Sequence, residues 1–186
     1  MLRKLSEMSH HCSILTGDET GLLKYICVNE NNNSITSYGE QSRSGGIIGL
    51  DWVERNKMSV VLRTNSNIEI WNFENKNDDS EDSNNDEKHK LTLERQIHVE
   101  SLTCPAGCLS YSTNGTSNIN DKLISYSNDG AAVIVDLLRL NLDHIMNLKG
   151  PISCGNINNN SASNLFAYGG NENDLKIFDI NSLTNW

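Results

Sequence analysis

Asp18, Glu19, Asp129, Glu172 and Asp174 are the carboxylates that first invite a chemical reading, because several could converge on one face of a repetitive fold and act as acid and base. Glycosidic hydrolysis, for instance, needs two carboxyl groups facing each other across a sugar cleft. Each of these residues sits instead in a run such as Asn128-Asp129-Gly130 or Asp18-Glu19-Thr20-Gly21. Asp and Asn side chains in such runs bond to nearby backbone N–H groups and, with Gly, tolerate the positive φ of tight hairpin turns. Turn formation accounts for them without catalysis.

The remaining groups with reactive side chains are sparse. His10-His11-Cys12 is the one dense pairing of nucleophile and base, and it lies in the N-terminal lead-in, where frayed or edge-strand residues are expected. His98, Cys104 and Cys108 suggest metal ligands, but three residues separate the two cysteines and no second pair completes a tetrahedral zinc site. The sequence holds no Gly-x-Ser-x-Gly elbow, no Gly-x-x-x-x-Gly-Lys-Ser/Thr phosphate loop and no His-Glu-x-x-His helix. No catalytic residue, metal, cofactor or small-molecule substrate is assigned. The five cysteines, an odd number spread along the chain, read as reduced thiols serving as small hydrophobes.

Charge bears on partners. A formal net charge of −9 disfavours a surface that tracks phosphates, since nucleic-acid binding draws on clustered Lys and Arg. Seven of the acids fall between Glu74 and Glu87, however, so the rest of the chain is nearer neutral. The basic start Met1-Leu2-Arg3-Lys4 is not followed by an apolar signal region, and no run of 18 apolar residues appears. A soluble intracellular protein without a membrane partner is expected. The triplets Asn32-Asn33-Ser34, Asn114-Gly115-Thr116 and Asn159-Asn160-Ser161 are then chance products of an Asn-rich chain.

Four related strand-turn-strand units would position these turns: Ile14 to Val28, Val60 to Phe73, Leu123 to Leu137 and Phe166 to Ile180. Each joins an apolar run to a polar turn and then to a second run. The anchors Ile26, Trp71, Val135 and Phe178 are 45, 64 and 43 residues apart, against a blade period of about 40–45. The long middle interval contains a disordered acidic Asn/Asp-rich insertion, residues 74–90, expected to lie between blades because its composition cannot build a core. Trp52, Trp71, Phe166 and Phe178 are expected in the inter-sheet core. Leu137 to Ile145 reads as an outer strand, with a short helix as the alternative. The fold class is all-β: an incomplete WD40-type β-propeller of about four blades over residues 1–186. Four blades do not readily close a ring, so the chain is expected to be the N-terminal part of a longer propeller.

Two stretches carry a more specific resemblance. Thr16-Gly17-Asp18-Glu19-Thr20-Gly21-Leu22-Leu23-Lys24 and Phe166-Ala167-Tyr168-Gly169-Gly170-Asn171-Glu172-Asn173-Asp174-Leu175-Lys176-Ile177-Phe178-Asp179-Ile180 together resemble the WD repeat-containing protein 74 family. Glu19, Thr20, Gly21, Leu23 and Lys24 match its first pattern. Gly169, Gly170, Glu172, Asn173, Leu175, Lys176, Ile177 and Asp179 match its second, and Phe178 replaces the usual Trp. The resemblance implies a seven-bladed propeller acting as a nucleolar, non-catalytic scaffold of 60S ribosomal-subunit assembly and rRNA processing. It further implies binding to pre-60S particles with other assembly factors, release by an AAA-type ATPase, and at most indirect rRNA contact. The alternatives are an adaptor or scaffold of another intracellular complex and, third, a hydrolase on a propeller. Turns between the second and third strands of WD blades share one face of the ring, so Asp18, Glu19, Asn67, Asp129, Glu172 and Asn173 are expected to form a partner-contact rim. The acidic insertion is expected on the opposite face.

Overall fold

The run Met58-Ser59-Val60-Val61-Leu62-Arg63 is buried at every position, which an isolated two-faced sheet would not allow. Successive side chains of a strand point to opposite faces, so continuous burial means that the sheet is covered on both. The computed structural model shows how. It describes residues 2–8, 11–29, 34–53, 58–75, 89–112, 121–148, 150–158, 164–170 and 175–180.

Among the described residues, fifteen strands form four sheets, each an antiparallel meander of consecutive strands. Blade 1 contains β1 (Leu2–Met8), β2 (His11–Gly17), β3 (Leu22–Asn29) and β4 (Ser34–Ser42). Blade 2 contains β5 (Ile47–Val53), β6 (Met58–Arg63), β7 (Asn67–Asn75) and β8 (His89–His98). Blade 3 contains β9 (Pro105–Tyr111), β10 (Lys122–Ser127), β11 (Ala131–Asp136) and β12 (Asn141–Asn147). Blade 4 has β13 (Cys154–Asn158), β14 (Leu165–Gly169) and β15 (Leu175–Asp179) among the described residues. No α-helix occurs in the described residues. The architecture is four consecutive blades of a β-propeller.

The first strands β5, β9 and β13 neighbour one another from blade to blade, and side chains alternate between the two flanking blades. On β6, Val60 and Leu62 face blade 3 while Val61 faces blade 1. On β11, Val133 and Val135 join blade 2, while Ala132 and Ile134 join blade 4. Three apolar cores result, one in each gap. Leu15 and Leu23 meet Leu50, Val61, Trp71 and Leu91 between blades 1 and 2. Ile68 and Ile70 meet Leu123 and Val133 in the next gap. Ile124 and Tyr126 meet Phe166 and Tyr168 in the last.

The anchors Ile26, Trp71, Val135 and Phe178 all lie on the third strand of their blades and pair with Ile14, Ser59, Leu123 and Phe166. Trp71 and Phe166 are buried. Phe178 and Trp52 are half-buried, packed on the edges of two of the cores, and Trp52 stacks on Tyr25 of blade 1 at a centroid distance of 6.4 Å. Residues 137–140 form a turn and Asn141–Asn147 the outer strand, so the helical alternative for Leu137 to Ile145 does not apply.

The insertion requires correction on two counts. Glu74 and Asn75 close β7 and His89 and Lys90 open β8, with Glu74 paired to Lys90 and Asn75 to His89. The stretch therefore joins the third and fourth strands within blade 2, not two blades, and is shorter than 74–90. Its remaining part, residues 76–88, lies outside the described residues. The spacing misled because an insertion anywhere after Trp71 lengthens the same interval. Among the cysteines, Cys108 is buried but Cys104 and Cys154 are exposed, so the small-hydrophobe reading does not hold for those two.

Candidate functional site

The turn between second and third strands and the connection to the next blade are stitched together by main-chain hydrogen bonds. Ile47 N–H donates to the Asp18 carbonyl (2.8 Å) and Arg43 N–H to that of Gly21 (3.3 Å). Thr64 N–H donates to Gly46, Val99 to Ser66, Asn128 to Cys104, Leu148 to Gly130 and Ser153 to Gly169, all within 3.0 Å. Turn and connection thus alternate from blade 1 through blade 3, and the connection that follows bonds to the end of β14 in blade 4. Gly21 (φ +91°) and Gly130 (φ +94°) make this possible. Both adopt the left-handed region, and a Cβ on Gly130 would stand 2.6 Å from the Leu148 carbonyl oxygen.

Asp18, Glu19 and Asp129 lie in these turns and are exposed. Asp18 Oδ1 accepts from Thr20 N–H (2.9 Å), Thr20 Oγ1 (2.7 Å) and Leu22 N–H (3.1 Å). The Thr20 hydroxyl, followed by the Leu22 amide, holds its carboxyl below the usual carboxylate range. The Thr103 hydroxyl from the preceding connection does the same for Asp129, which also accepts from Ala131 N–H (3.2 Å). Asn67 is not in a turn but opens β7, with its Oδ1 3.0 Å from His98 Nδ1. Glu172 and Asn173 lie outside the described residues. The two aspartates spend their acceptor capacity on backbone and neighbouring hydroxyls, an arrangement that fixes loops. Glu19 projects from the same girdle into solvent.

Beneath the girdle lies a charged cluster that alternation in the sequence hid. Glu69 falls between Ile68 and Ile70 as a solvent-facing residue of an amphipathic strand would, yet it is buried. Arg63, also buried, donates from Nη1 to the carbonyls of Gly21 (3.1 Å) and Gly45 (2.9 Å). Its Nε approaches Glu69 Oε2 to 2.7 Å as an ion pair without hydrogen-bond alignment, and its Nη2 has no hydrogen-bond partner. Glu69 also pairs with Arg43 Nε (3.1 Å) and accepts from Trp71 Nε1 (3.1 Å). The Arg43 guanidinium stands 6.0 Å over the Trp71 ring. One buried carboxylate thus ties blade 2 to the connection leaving blade 1.

A second buried carboxylate, Asp51 on β5, accepts from Ser110 N–H (2.6 Å) and Oγ (2.9 Å) on β9. No group of three or more metal-ligating side chains occurs among the described residues, and no helix is long and apolar enough to cross a membrane. The geometry offers a rigid face with exposed loop side chains.

Its fold likeness is to BBS1N. Two crystal structures of BBS1N in complex with ARL6DN, soaked with mercury and with lead, superpose with TM-scores of 0.67 at 13% sequence identity. The match covers 95% of this chain and 46% and 45% of those chains, so this chain spans a little under half their length. No family model and no curated protein matches the sequence. At that identity the likeness to BBS1N shows a shared fold.

Proposed function

We propose that this chain is a non-catalytic propeller scaffold that binds protein partners on pre-60S particles in the nucleolus during large-subunit assembly and rRNA processing. The observation that carries the scaffold reading is the girdle: backbone bonds hold every described turn, leaving Glu19 and its neighbours as presented side chains on a fixed frame. The ribosomal assignment rests on the two matched stretches. Glu19, Thr20 and Gly21 form the blade 1 turn, and Leu175, Lys176, Ile177 and Asp179 lie on β15, the corresponding third strand of blade 4. Partners are then other pre-60S assembly factors and an AAA-type ATPase that releases the protein, with rRNA contact indirect.

A second reading, an adaptor within another intracellular complex, is favoured by the fact that the matched BBS1N structures contain a protein partner, ARL6DN. Sucrose-gradient sedimentation of the tagged protein tests the first reading, which expects co-migration with pre-60S particles and nucleolar staining. Glu19→Lys with Glu172→Lys should weaken that co-migration with circular dichroism unchanged, since rim charges act chiefly on association. Migration away from ribosomal particles, in a discrete complex of other proteins, would favour the adaptor. Turnover in a general hydrolase screen would overturn the scaffold reading itself.

A further inference from the structure

The seams between blades are not all closed alike. The connections leaving blades 1, 2 and 3 place Arg43, Val99 and Leu148 at one equivalent position, where each donates its N–H to the turn carbonyl of Gly21, Ser66 or Gly130. At the seam of blades 1 and 2, Arg43 fills the outer end. Its Nε pairs with Glu69 (3.1 Å) and its Nη2 donates to Gln96 Oε1 (2.9 Å), and Glu69 and Gln96 are themselves cross-strand partners on β7 and β8. The outer strands β4 and β8 pack closely there.

One blade further on, the same three positions hold Val99, Val133 and Ile145, with Val133 and Ile145 paired across β11 and β12. A valine is too short to span the seam as the arginine does. Val99 and Val133 are buried, but Ile145 is 59% exposed, and among the described residues β8 and β12 make no approach comparable to that of β4 and β8. Directly opposite residues of an antiparallel pair share a face. Ile97 and Arg95, across from Ile68 and Ile70, therefore face blade 3, while Leu142 and Ile145, across from Val135 and Val133, face blade 2. The outcome is an outer groove with Ile97 and Arg95 on one wall, Leu142 and Ile145 on the other, and Ile70 and Val133 beneath. Ile97 and Leu142 are half-buried against the core of this seam. Arg95 is exposed, and no carboxylate among the described residues pairs with it.

We propose that this groove between blades 2 and 3 receives an extended segment of a partner protein, one in which an aliphatic side chain stands beside an aspartate or glutamate. The aliphatic group covers Ile145 and the half-buried Ile97 and Leu142, which completes the apolar seam, and the carboxylate meets the Arg95 guanidinium. Scattered exposed apolar residues are ordinary, but an isoleucine over an open seam, opposite an unpaired cation, matches one chemistry of ligand. Residues 76–88 of the chain itself offer carboxylates but no apolar side chain to fill the groove. Both walls belong to blades that have a neighbour on each side. The surface is separate from the girdle, and the inference does not depend on the ribosomal assignment.

Phage display of a random-peptide library on the purified chain, with Ile145→Asp as the counter-selection, tests it. Peptides retained by the wild-type chain and lost by the variant should share an aliphatic residue with an Asp or Glu at a fixed short spacing. In fluorescence anisotropy a selected peptide should bind at least about tenfold more weakly to Ile145→Asp and to Arg95→Glu, with circular dichroism retained, and its affinity should fall with added salt. Ile35→Asp, at another exposed apolar residue on the outer strand of blade 1, should bind as the wild type does. Selection on Arg95→Glu should exchange the acidic residue of the peptides for Lys or Arg. If no peptide distinguishes the wild-type chain from folded Ile145→Asp, or if the selected peptides are indifferent to Arg95→Glu, the proposal is overturned. Self-association of the purified chain that Ile145→Asp abolishes would overturn it equally, by assigning the groove to a second copy.

Discussion

Glu69 and Arg63 show how far a single pair of charges can be from what their sequence neighbours suggest. Both are buried, and the carboxylate faces two guanidinium groups and an indole N–H. Removing one partner of such a pair leaves an uncompensated charge, at a cost of about 3–5 kcal/mol. Glu69→Leu should therefore lower the urea midpoint sharply, while Glu69→Leu combined with Arg63→Met should recover part of the loss. A double-mutant cycle in urea reads the coupling directly. Asp129 makes a separate prediction with pH. Its carboxyl is held below its ordinary value by the Thr103 hydroxyl, so its charged form contributes stability that is complete above the ordinary value and lost as pH falls through the lower folded one. Asp129→Asn should flatten the acid side of the stability profile, measured as urea midpoints from about pH 7 to about pH 2. The pairing with Thr103 was not legible in the sequence, because 26 residues separate the two and only the connection between blades brings them together.

At the scale of strands and blades, much more could be read directly. The four strand-turn-strand units coincide with β2–β3, β6–β7, β10–β11 and β14–β15, and their anchors share one place on the third strand. Period-two apolar runs and Gly-bearing turns are local signals, and these elements are local structures. First and fourth strands were harder. β13 reads Cys-Gly-Asn-Ile-Asn and carries too little apolar contrast to stand out, whereas the partial alternation over Leu137 to Ile145 marked β12 with its start set too early. The insertion's position within blade 2 was equally hidden, since the strand ends flanking it are Glu, Asn, His and Lys. Because Asn75 pairs with His89, replacing residues 76–88 by a short hairpin turn should leave the thermal midpoint nearly unchanged, as loop length carries only a small entropic cost. Trp71→Ala should cost about 3–5 kcal/mol by denaturant titration, as for other buried aromatics. Phe178→Ala should cost less, because its ring is only half-buried.

For the whole molecule, stability resides in the gaps between sheets and not in the sheets themselves. All three apolar cores draw their side chains from two neighbouring blades. A four-stranded sheet without its neighbour would leave at least one apolar face in water, so the blades should melt as one cooperative unit, with coincident circular dichroism and tryptophan fluorescence transitions. Among the described residues every strand ladder, by contrast, pairs only chain neighbours. Together these facts set an order for synthesis. The hydrogen-bonded meander of blade 1 can form as soon as its residues leave the ribosome, but its side chains gain a core only when β5 to β8 follow. Each blade is thus a provisional structure that its successor makes permanent, and a nascent chain with residues 1–46 outside the ribosome should remain protease-sensitive until residues 47–98 have emerged as well.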